Sequence, residues 1–473
     1  MKVLFINSPT QIYEHTRAER YDVIPPIGLG YLATVAAQFL EKENVALLDA
    51  EYLGYSMPDI ISYVKKFAPD LIGINIFSPN EHVVTEMITR IKSAIPGVSI
   101  CLGGVHARIA GRDLFKNPVI SKSVDFICIG NGENTMRDII HHFQGQRTDY
   151  AKISGIAYQQ GGYVHVTREV PLTKADLDEE IILDHSFFDN DLRRCGDKVE
   201  SFLLSSRGCP FKCEFCAAQI LNRSNRVLLR SIKSIEKELE ALLRQGCNYI
   251  RFVDDLLLAS HDRICELTNM LERQSCNQNN FGFEANGRAN IMSRLPRNLW
   301  GKLIRSGLLE IEIGIESGSP RILRTMNKKI GLDDIEKTVQ MASEYGIKVK
   351  GFIMVGYPKE NKSDISMTIK FMRHLKKLHS GIRFSPVPTK MYPGTLLFRR
   401  VNPTLTENAL EGSICVDISH YGQGKKEKSI LSGRTRYNAM HATRDGEPMA
   451  LSELSGNADT QYVLESLAEM CLI

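Results

Sequence analysis

The chain has 473 residues, 43% hydrophobic and 24% charged, with 35 glycines and 18 prolines. That composition fits a globular protein of two or three domains and excludes a largely disordered, collagen-like or coiled-coil chain. The formal net charge of +4 is small for this length and lacks the basic excess expected of a chain whose main partner is nucleic acid.

The opening run Val3-Leu4-Phe5-Ile6 stops at Asn7-Ser8-Pro9 without a small-residue cleavage site, so it reads as a buried strand, not a secretory signal. No stretch approaches the roughly 18 apolar residues of a membrane span. Eleven cysteines without a signal peptide point to reduced thiols in the cytoplasm.

Residues 1–145 alternate short apolar runs with helical periods. The predicted strands are Val3–Ile6, Val45–Leu48, Leu71–Asn75, Val98–Leu102 and Phe126–Ile129, and the predicted helices lie near 28–40, 57–67, 80–94, 110–117 and 132–144. Strands buried on both faces and separated by helices predict a doubly wound parallel sheet, and five such units fit the flavodoxin-like (Rossmann-type) order. Residues 146–195 follow as a hairpin turning at Gly161-Gly162 and an acidic linker over 173–180.

The βα rhythm returns over 196–390, with strands predicted at Ser201–Ser206, Tyr249–Asp254, Phe281–Ala285, Leu308–Ile315, Lys348–Val355 and Ile382–Val387. Six units in place of eight predict an open partial TIM barrel. Residues 391–473 form a small C-terminal cap, with one helix expected near 461–471 and a solvated charged loop over 423–428. There is no internal repeat.

Cys209, Cys213 and Cys216 stand at C-x3-C-x2-C, just after the first predicted barrel strand. The C-terminal ends of barrel strands carry the active site in this architecture. Three nearby thiolates hold three irons of a [4Fe–4S] cube and leave the fourth open to a substrate or cosubstrate. Structural zinc is disfavoured because it takes four closed ligands and the next cysteines, Cys195 and Cys247, are distant in sequence. A disulfide is disfavoured by the reducing compartment.

This spacing, with Phe215 before the last cysteine, resembles the radical S-adenosylmethionine (SAM) superfamily. Further segments match that family at the predicted strand ends: Phe252-Val253-Asp254-Asp255, Phe283 to Arg288, Gly314-Ile315-Glu316-Ser317-Gly318, and Met354 to Glu360 with Gly356 at its centre. The resemblance implies a [4Fe–4S] cluster on Cys209, Cys213 and Cys216. It also implies SAM bound near Phe215, Asp254, Asp255, Glu284, Arg288, Glu316, Ser317, Gly318 and Gly356. Acids at strand ends accept bonds from ribose or ammonium groups, and Arg288 suits a carboxylate. One departure stands out: many relatives have Gly-Glu-Thr after the proline of strand five, where this chain has Lys359-Glu360-Asn361.

Residues 1–145 resemble the cobalamin-binding domains attached to many radical SAM enzymes. The segments that carry this likeness include Pro26 and Leu29, Ser78, Gly103-Gly104-Val105-His106, and Asn131-Gly132-Glu133. Those residues are the implied cobalamin contacts. The D-x-H-x-x-G signature of a histidine cobalt ligand is absent: Gly104 stands two residues before His106 and Ile109 three after.

The resemblance implies an enzyme whose sheet edge faces the barrel mouth. One SAM methylates the cobalt. A second is cleaved reductively to a 5′-deoxyadenosyl radical, and an unactivated carbon of a small metabolite or natural-product intermediate is methylated. The alternative is a radical SAM dehydratase, cyclase or rearrangement enzyme, for example on a sugar, that makes no use of cobalamin. A non-catalytic sensor has no need of an open iron at a barrel mouth. A methylthiotransferase would carry a second cysteine triad in its N-terminal domain. The implied electron donor is a flavodoxin or ferredoxin, and neither a nucleic acid partner nor a membrane span is expected.

Overall fold

The computed structural model describes residues 1–13, 15, 24–145, 149–180, 182–188, 193–195, 197–221, 227–277, 280–389, 391–392 and 394–401, with two short strand pieces at 443–444 and 447–448. The expected loop at 423–428 and helix at 461–471 lie outside the described residues. The chain divides into two compact units, residues 1–193 and 194–404, with later residues shared between them.

In the first unit, strands β1 (Val3–Asn7), β2 (Val45–Asp49), β3 (Leu71–Asn75), β4 (Ser99–Gly103) and β5 (Phe126–Cys128) are parallel and stand in the order 2-1-3-4-5. Every residue of β1 and β3 is buried, as a strand covered by helices on both faces requires. Those helices are α1 (Ile27–Ala36), α2 (Met57–Phe67), α3 (Glu81–Ala94), α4 (Val105–Ala110), α5 (Pro118–Ser123) and α6 (Gly132–Phe143). The core gathers Ile72, Ile74, Val83, Met87, Ile88 and Ile100, all at most 1% exposed.

The helix expected over 110–117 is instead divided. Gly111 has φ +55° and ends α4, a tight turn spans Gly111–Lys116, and Asn117 caps a fresh start at Pro118. Two antiparallel strands, β6 (Ile156–Gln160) and β7 (Tyr163–Val166), then extend the sheet beyond β5. Gly161 and Gly162 both have positive φ, the backbone of a two-residue hairpin turn whose twist matches the strands. The hairpin read from sequence therefore belongs to the first sheet.

The second unit opens with β8 (Arg193–Cys195), β9 (Lys198–Leu203) and β10 (Ser206–Arg207), followed by α7 (Ala218–Leu221), β11 (Leu228–Leu229) and α8 (Ile232–Arg244). It continues with β12 (Tyr249–Phe252), α9 (His261–Asn277), β13 (Gly282–Gly287), α10 (Ala289–Met292), α11 (Arg297–Arg305) and β14 (Leu308–Glu316). The last elements are α12 (Pro320–Thr325), α13 (Leu332–Glu344), β15 (Lys348–Val355), α14 (Lys362–Leu378), β16 (Ile382–Pro388) and α15 (Leu396–Val401).

Strands β9, β12, β13, β14, β15 and β16 lie side by side in chain order, all parallel, which is six units of a βα barrel. The strand expected over Ser201–Ser206 breaks after Leu203. Ser205 and Ser206 turn toward Asp254, so that β10 pairs with β11 instead.

Period-two alternation sorts each barrel strand. On β14, Ile311, Ile313 and Ile315 are buried, and the alternate positions carry acids. Glu310 pairs with Arg383 at 2.5 Å and Glu312 with Lys350 at 2.5 Å. Glu284 on β13 pairs with Arg251 and accepts a bond from the Tyr249 hydroxyl at 3.0 Å. The Glu312–Lys350 and Glu284–Arg251 pairs tie neighbouring strands together, and the Glu310–Arg383 pair reaches across β15 from β14 to β16.

Candidate functional site

The three cysteines lie on the loop between β10 and α7. Gly208, with φ +97°, turns the chain, and its N–H donates to Asp255 Oδ2 at 2.9 Å. Asn327 donates to the Lys212 carbonyl at 2.7 Å, Glu214 N–H to the Met326 carbonyl at 3.0 Å, and Leu397 N–H to the Glu214 carbonyl at 2.9 Å. The Glu214 carboxylate pairs with Arg400 at 2.6 Å. A loop with little regular structure is thus fixed from three directions, as a preorganised ligand set requires.

Cys213 is buried, and Cys209 and Cys216 are half-buried. Burial pushes the Cys209 thiol up and the Cys216 thiol up to about 11, and each is raised further by the charge of its neighbours in the triad. Iron therefore has to displace protons here, so loading releases them.

Arg288, the residue after β13, is buried. Its guanidinium carbon sits 3.8 Å from the centre of the Phe211 ring, and Nη1 donates to Cys213 Sγ at 3.6 Å. Its Nε and Nη2 have no hydrogen-bond partner among the described residues. Buried donors without acceptors are costly. An anionic sulfur-rich cluster beside them, held by the neighbouring cysteines, is a group this arrangement fits.

The other strand-end residues divide by what they already hold. Asp254 accepts from Ser205 N–H at 3.1 Å and from the Ser205 and Ser206 hydroxyls at 2.8 and 2.5 Å. Burial raises its carboxyl while those bonds lower it. Its side chain braces the chain just before the cysteines. Asp255 keeps one side exposed at the rim, while burial of its carboxyl group raises it and the Gly208 N–H opposes the shift. Glu284 is buried on its Tyr249 and Arg251 contacts.

Glu316 adopts φ +62° where β14 slips register against β15, and pairs with Lys328 at 2.6 Å. A Cβ on Gly314 would crowd the tips of Glu316 and Lys328, so glycine there leaves the pair its present position. The Lys328 ammonium also lies 5.7 Å from the centre of the Phe215 ring. Ser317 and Gly318 face α14: the Ser317 and Thr368 hydroxyls are 3.2 Å apart, and Gly318 N–H donates to Thr368 Oγ1 at 2.9 Å.

Glu360 was not among the residues singled out from sequence, nor were Lys328 and Tyr392. The Glu360 carboxylate accepts from Gly356 N–H at 2.6 Å and Tyr357 N–H at 3.3 Å, closing the loop after β15. Burial pushes its carboxyl up to about 7, against the pull of those two N–H groups. The departure at 359–361 has a local account. Lys359 sits at φ +72°, a conformation that suits glycine, and Asn361 caps α14 through Asp364 N–H as a threonine would. Tyr392 follows β16, and burial and then the Cys216 charge raise its hydroxyl. The turn-forming run Tyr392-Pro393-Gly394 was its only sequence signal.

In the first unit, the last residues of three parallel strands share one buried polar network. Asn7 donates to Asp49 at 2.6 Å, Asn75 donates to Asn7 at 2.6 Å, and Asn80 donates to the Ser8 hydroxyl at 2.8 Å. This is where the strand order reverses, the edge on which open α/β sheets bind ligands.

His106 is buried, with Nδ1 2.9 Å from the Ser78 hydroxyl and Nε2 3.2 Å from Glu81. Both ring nitrogens are therefore engaged within the domain. Gly103 ends β4, Gly104 follows it as the N-cap of α4, and Val105 and His106 begin α4. Pro26 and Leu29 stand at the start of α1, Asn131 donates weakly to the Val170 carbonyl at 3.4 Å, Gly132 packs under Leu32, and Glu133 is buried. On the loops of this edge Ile12, Ile24 and Phe77 are 47%, 51% and 37% exposed. Large apolar side chains beside small residues at strand ends fit a broad, flat, largely apolar group.

Comparison with known proteins places both units. Residues 203–372 match the radical SAM superfamily and residues 14–140 match the B12 binding domain. An uncharacterized methyltransferase of Pyrococcus horikoshii is 26% identical over 84% of this chain and 82% of its own length. The cytidylyl-2-hydroxyethylphosphonate methyltransferase of Streptomyces wedmorensis is 24% identical over 76% of this chain and 73% of its own. The anaerobic magnesium-protoporphyrin IX monomethyl ester cyclase of Rubrivivax gelatinosus is 24% identical over 79% and 66%.

Among solved structures, the radical SAM methyltransferase TsrM of Kitasatospora setae, with cobalamin and a [4Fe–4S] cluster bound, superposes with a TM-score of 0.67 at 17% identity, covering 85% of this chain and 75% of that one. The cobalamin-dependent radical enzyme OxsB superposes with a TM-score of 0.67 at 18% identity, covering 86% and 61%. At these identities the structural likeness establishes the fold.

Proposed function

The chain is a radical SAM enzyme with a B12-binding domain ahead of its barrel, and from that premise we propose that it is a cobalamin-dependent methyltransferase acting on an unactivated carbon of a small metabolite. The observation that carries this reading is the presence, on one chain, of a three-thiol loop at barrel strand ends and a B12-binding domain. A relative named as an uncharacterized methyltransferase, 26% identical over 84% of the chain, supports it.

When bound, the cluster supplies the electron that cleaves SAM, and cobalamin supplies a carrier for the methyl group. Cys209, Cys213 and Cys216 hold the cluster, with Arg288 against Cys213. Asp254 fixes the approach to the cysteine loop through Ser205 and Ser206, and Asp255 holds the turn at Gly208. Glu316, oriented by Lys328, and Gly356, oriented by Glu360, offer polar groups to SAM. In the first unit Pro26, Leu29, Ser78, Gly103, Gly104, Val105, Asn131, Gly132 and Glu133 form the cobalamin edge. His106 serves that edge by anchoring Ser78, not as a cobalt ligand. A reduced flavodoxin or ferredoxin delivers the electrons.

Anaerobic reconstitution with iron, sulfide and hydroxocobalamin, followed by gel filtration, tests the reading. About four irons and about one cobalt per chain are expected, with turnover yielding both S-adenosylhomocysteine and 5′-deoxyadenosine. Deoxyadenosine alone, without bound cobalt, replaces methylation with a ring-closing, dehydrating or rearranging reaction. A Cys209→Ala, Cys213→Ala, Cys216→Ala protein that keeps its iron overturns the cluster assignment.

A further inference from the structure

Arg288 stands apart from the other buried cations of the barrel. Arg230 is buried against Glu238 at 2.6 Å, Lys328 against Glu316, and Arg263 pairs with Glu266 at 3.4 Å. Arg288, only 7% exposed, has no carboxylate within ion-pair distance among the described residues. Its one side-chain hydrogen bond among the described residues goes to a thiol sulfur, Cys213 Sγ at 3.6 Å. Its flat face is held against Phe211 at 3.8 Å, which fixes the direction of the fork. Two of its donor atoms have no hydrogen-bond partner among the described residues, so among those residues only the cysteine loop offsets its charge, and that charge also reaches Cys209.

We propose that Arg288 is a positioning residue that sets the reduction potential of the cluster, by donating to the Cys213 thiolate and placing an uncompensated buried positive charge beside it. The physical basis is general. Reduction adds one negative charge to an already anionic cluster–thiolate unit, and hydrogen bonds to its sulfurs and nearby positive charge stabilise the reduced form more than the oxidised one. In a water-poor setting that effect is weakly screened. The Phe211 ring keeps the guanidinium from swinging toward solvent and losing its aim. Lysine offers charge without the planar fork, and glutamine offers a donor without charge.

The inference rests on the cluster being held by Cys209, Cys213 and Cys216, and the test reads the two separately. Arg288→Lys and Arg288→Gln are reconstituted, iron per chain is counted, and the midpoint potential is measured by an EPR-monitored redox titration without SAM. Iron is expected to stay at the wild-type level in both variants. The potential should fall most in Arg288→Gln and less in Arg288→Lys. A glutamine variant with full iron and the wild-type potential overturns the proposal, as does an equal fall in both variants, which removes charge as the cause.

A second measurement needs no variant. In wild-type protein grown on isotope-labelled arginine, pulsed EPR of the reduced cluster should show coupling to a guanidinium nitrogen. Its absence overturns the hydrogen bond even where the glutamine variant fails to fold. Loss of iron from the wild type itself refutes the cluster assignment and leaves Arg288 no role of this kind.

Discussion

Glu360 offers a measurable link between pH and the loop that follows β15. Its carboxyl is pushed up to about 7, chiefly by burial, with the Gly356 and Tyr357 N–H groups pulling it partly back. An unfolded chain would hold the same group near 4.5. The folded state therefore binds the proton more tightly. The associated stability is fully present below pH 4.5 and is lost as pH rises through 7.

At 1.36 kcal/mol per pKa unit, the shift corresponds to about 3 kcal/mol, of which about 2 kcal/mol falls between pH 5.5 and 8.5. Urea unfolding of the reconstituted protein at those two pH values should show this loss, and the difference should vanish in Glu360→Gln. Hydrogen exchange at the Gly356 and Tyr357 amides, corrected for the intrinsic pH dependence, should slow in the variant at pH 8.5 if the loss is local. An identical pH slope in wild type and Glu360→Gln would refute the reasoning, because the titrating group would then lie elsewhere.

Four further outcomes follow from named contacts. Gly318→Ala places a Cβ 2.6 Å from Thr368 Cα, against rigid helix backbone, and should cost at least about 1–3 kcal/mol in denaturant unfolding. Lys328→Met strands the buried Glu316 carboxylate and should cost about 3–5 kcal/mol, together with weaker SAM binding by calorimetry; unchanged SAM affinity would remove Glu316 from the SAM site. Lys359→Gly relieves a left-handed lysine and should raise stability by up to about 1 kcal/mol, read as a higher urea midpoint. His106→Ala should keep bound cobalt while costing about 1–3 kcal/mol through the groups it leaves unpaired. Loss of cobalt with stability intact would make the histidine a ligand after all.

What the sequence disclosed follows from how local each signal is. Leu71–Asn75 and Lys348–Val355 coincide with their strands to the residue, because burial, branching and bounding turns all lie within the segment. The cysteine spacing was legible for the same reason: three ligands on one loop need no partner from afar.

The remainder depends on distant chain. Strand β9 stops early because Asp254, on another strand end, claims Ser205 and Ser206. Whether the Gly161-Gly162 hairpin stands alone or extends a sheet is decided by its pairing with β5, which no local pattern encodes. Lys359 and Asn361, on either side of Glu360, looked like departures from a motif. Only the backbone shows that Lys359 and Asn361 still meet the conformational demands of the loop. Asn7, Asn75 and Asn80 read individually as strand-end and turn residues, and their shared network appears only once the strands are adjacent.

The fastening of Glu214 by Leu397 and Arg400 bears on how the enzyme is made. The cysteine loop is translated long before the helix that clamps it. During synthesis, and until Arg400 clears the ribosome, the thiols therefore sit on a loop still lacking one of its three anchors. Docking of α15 then adds the third anchor. A chain released before residue 397 would carry all three cysteines on a loop with one anchor missing.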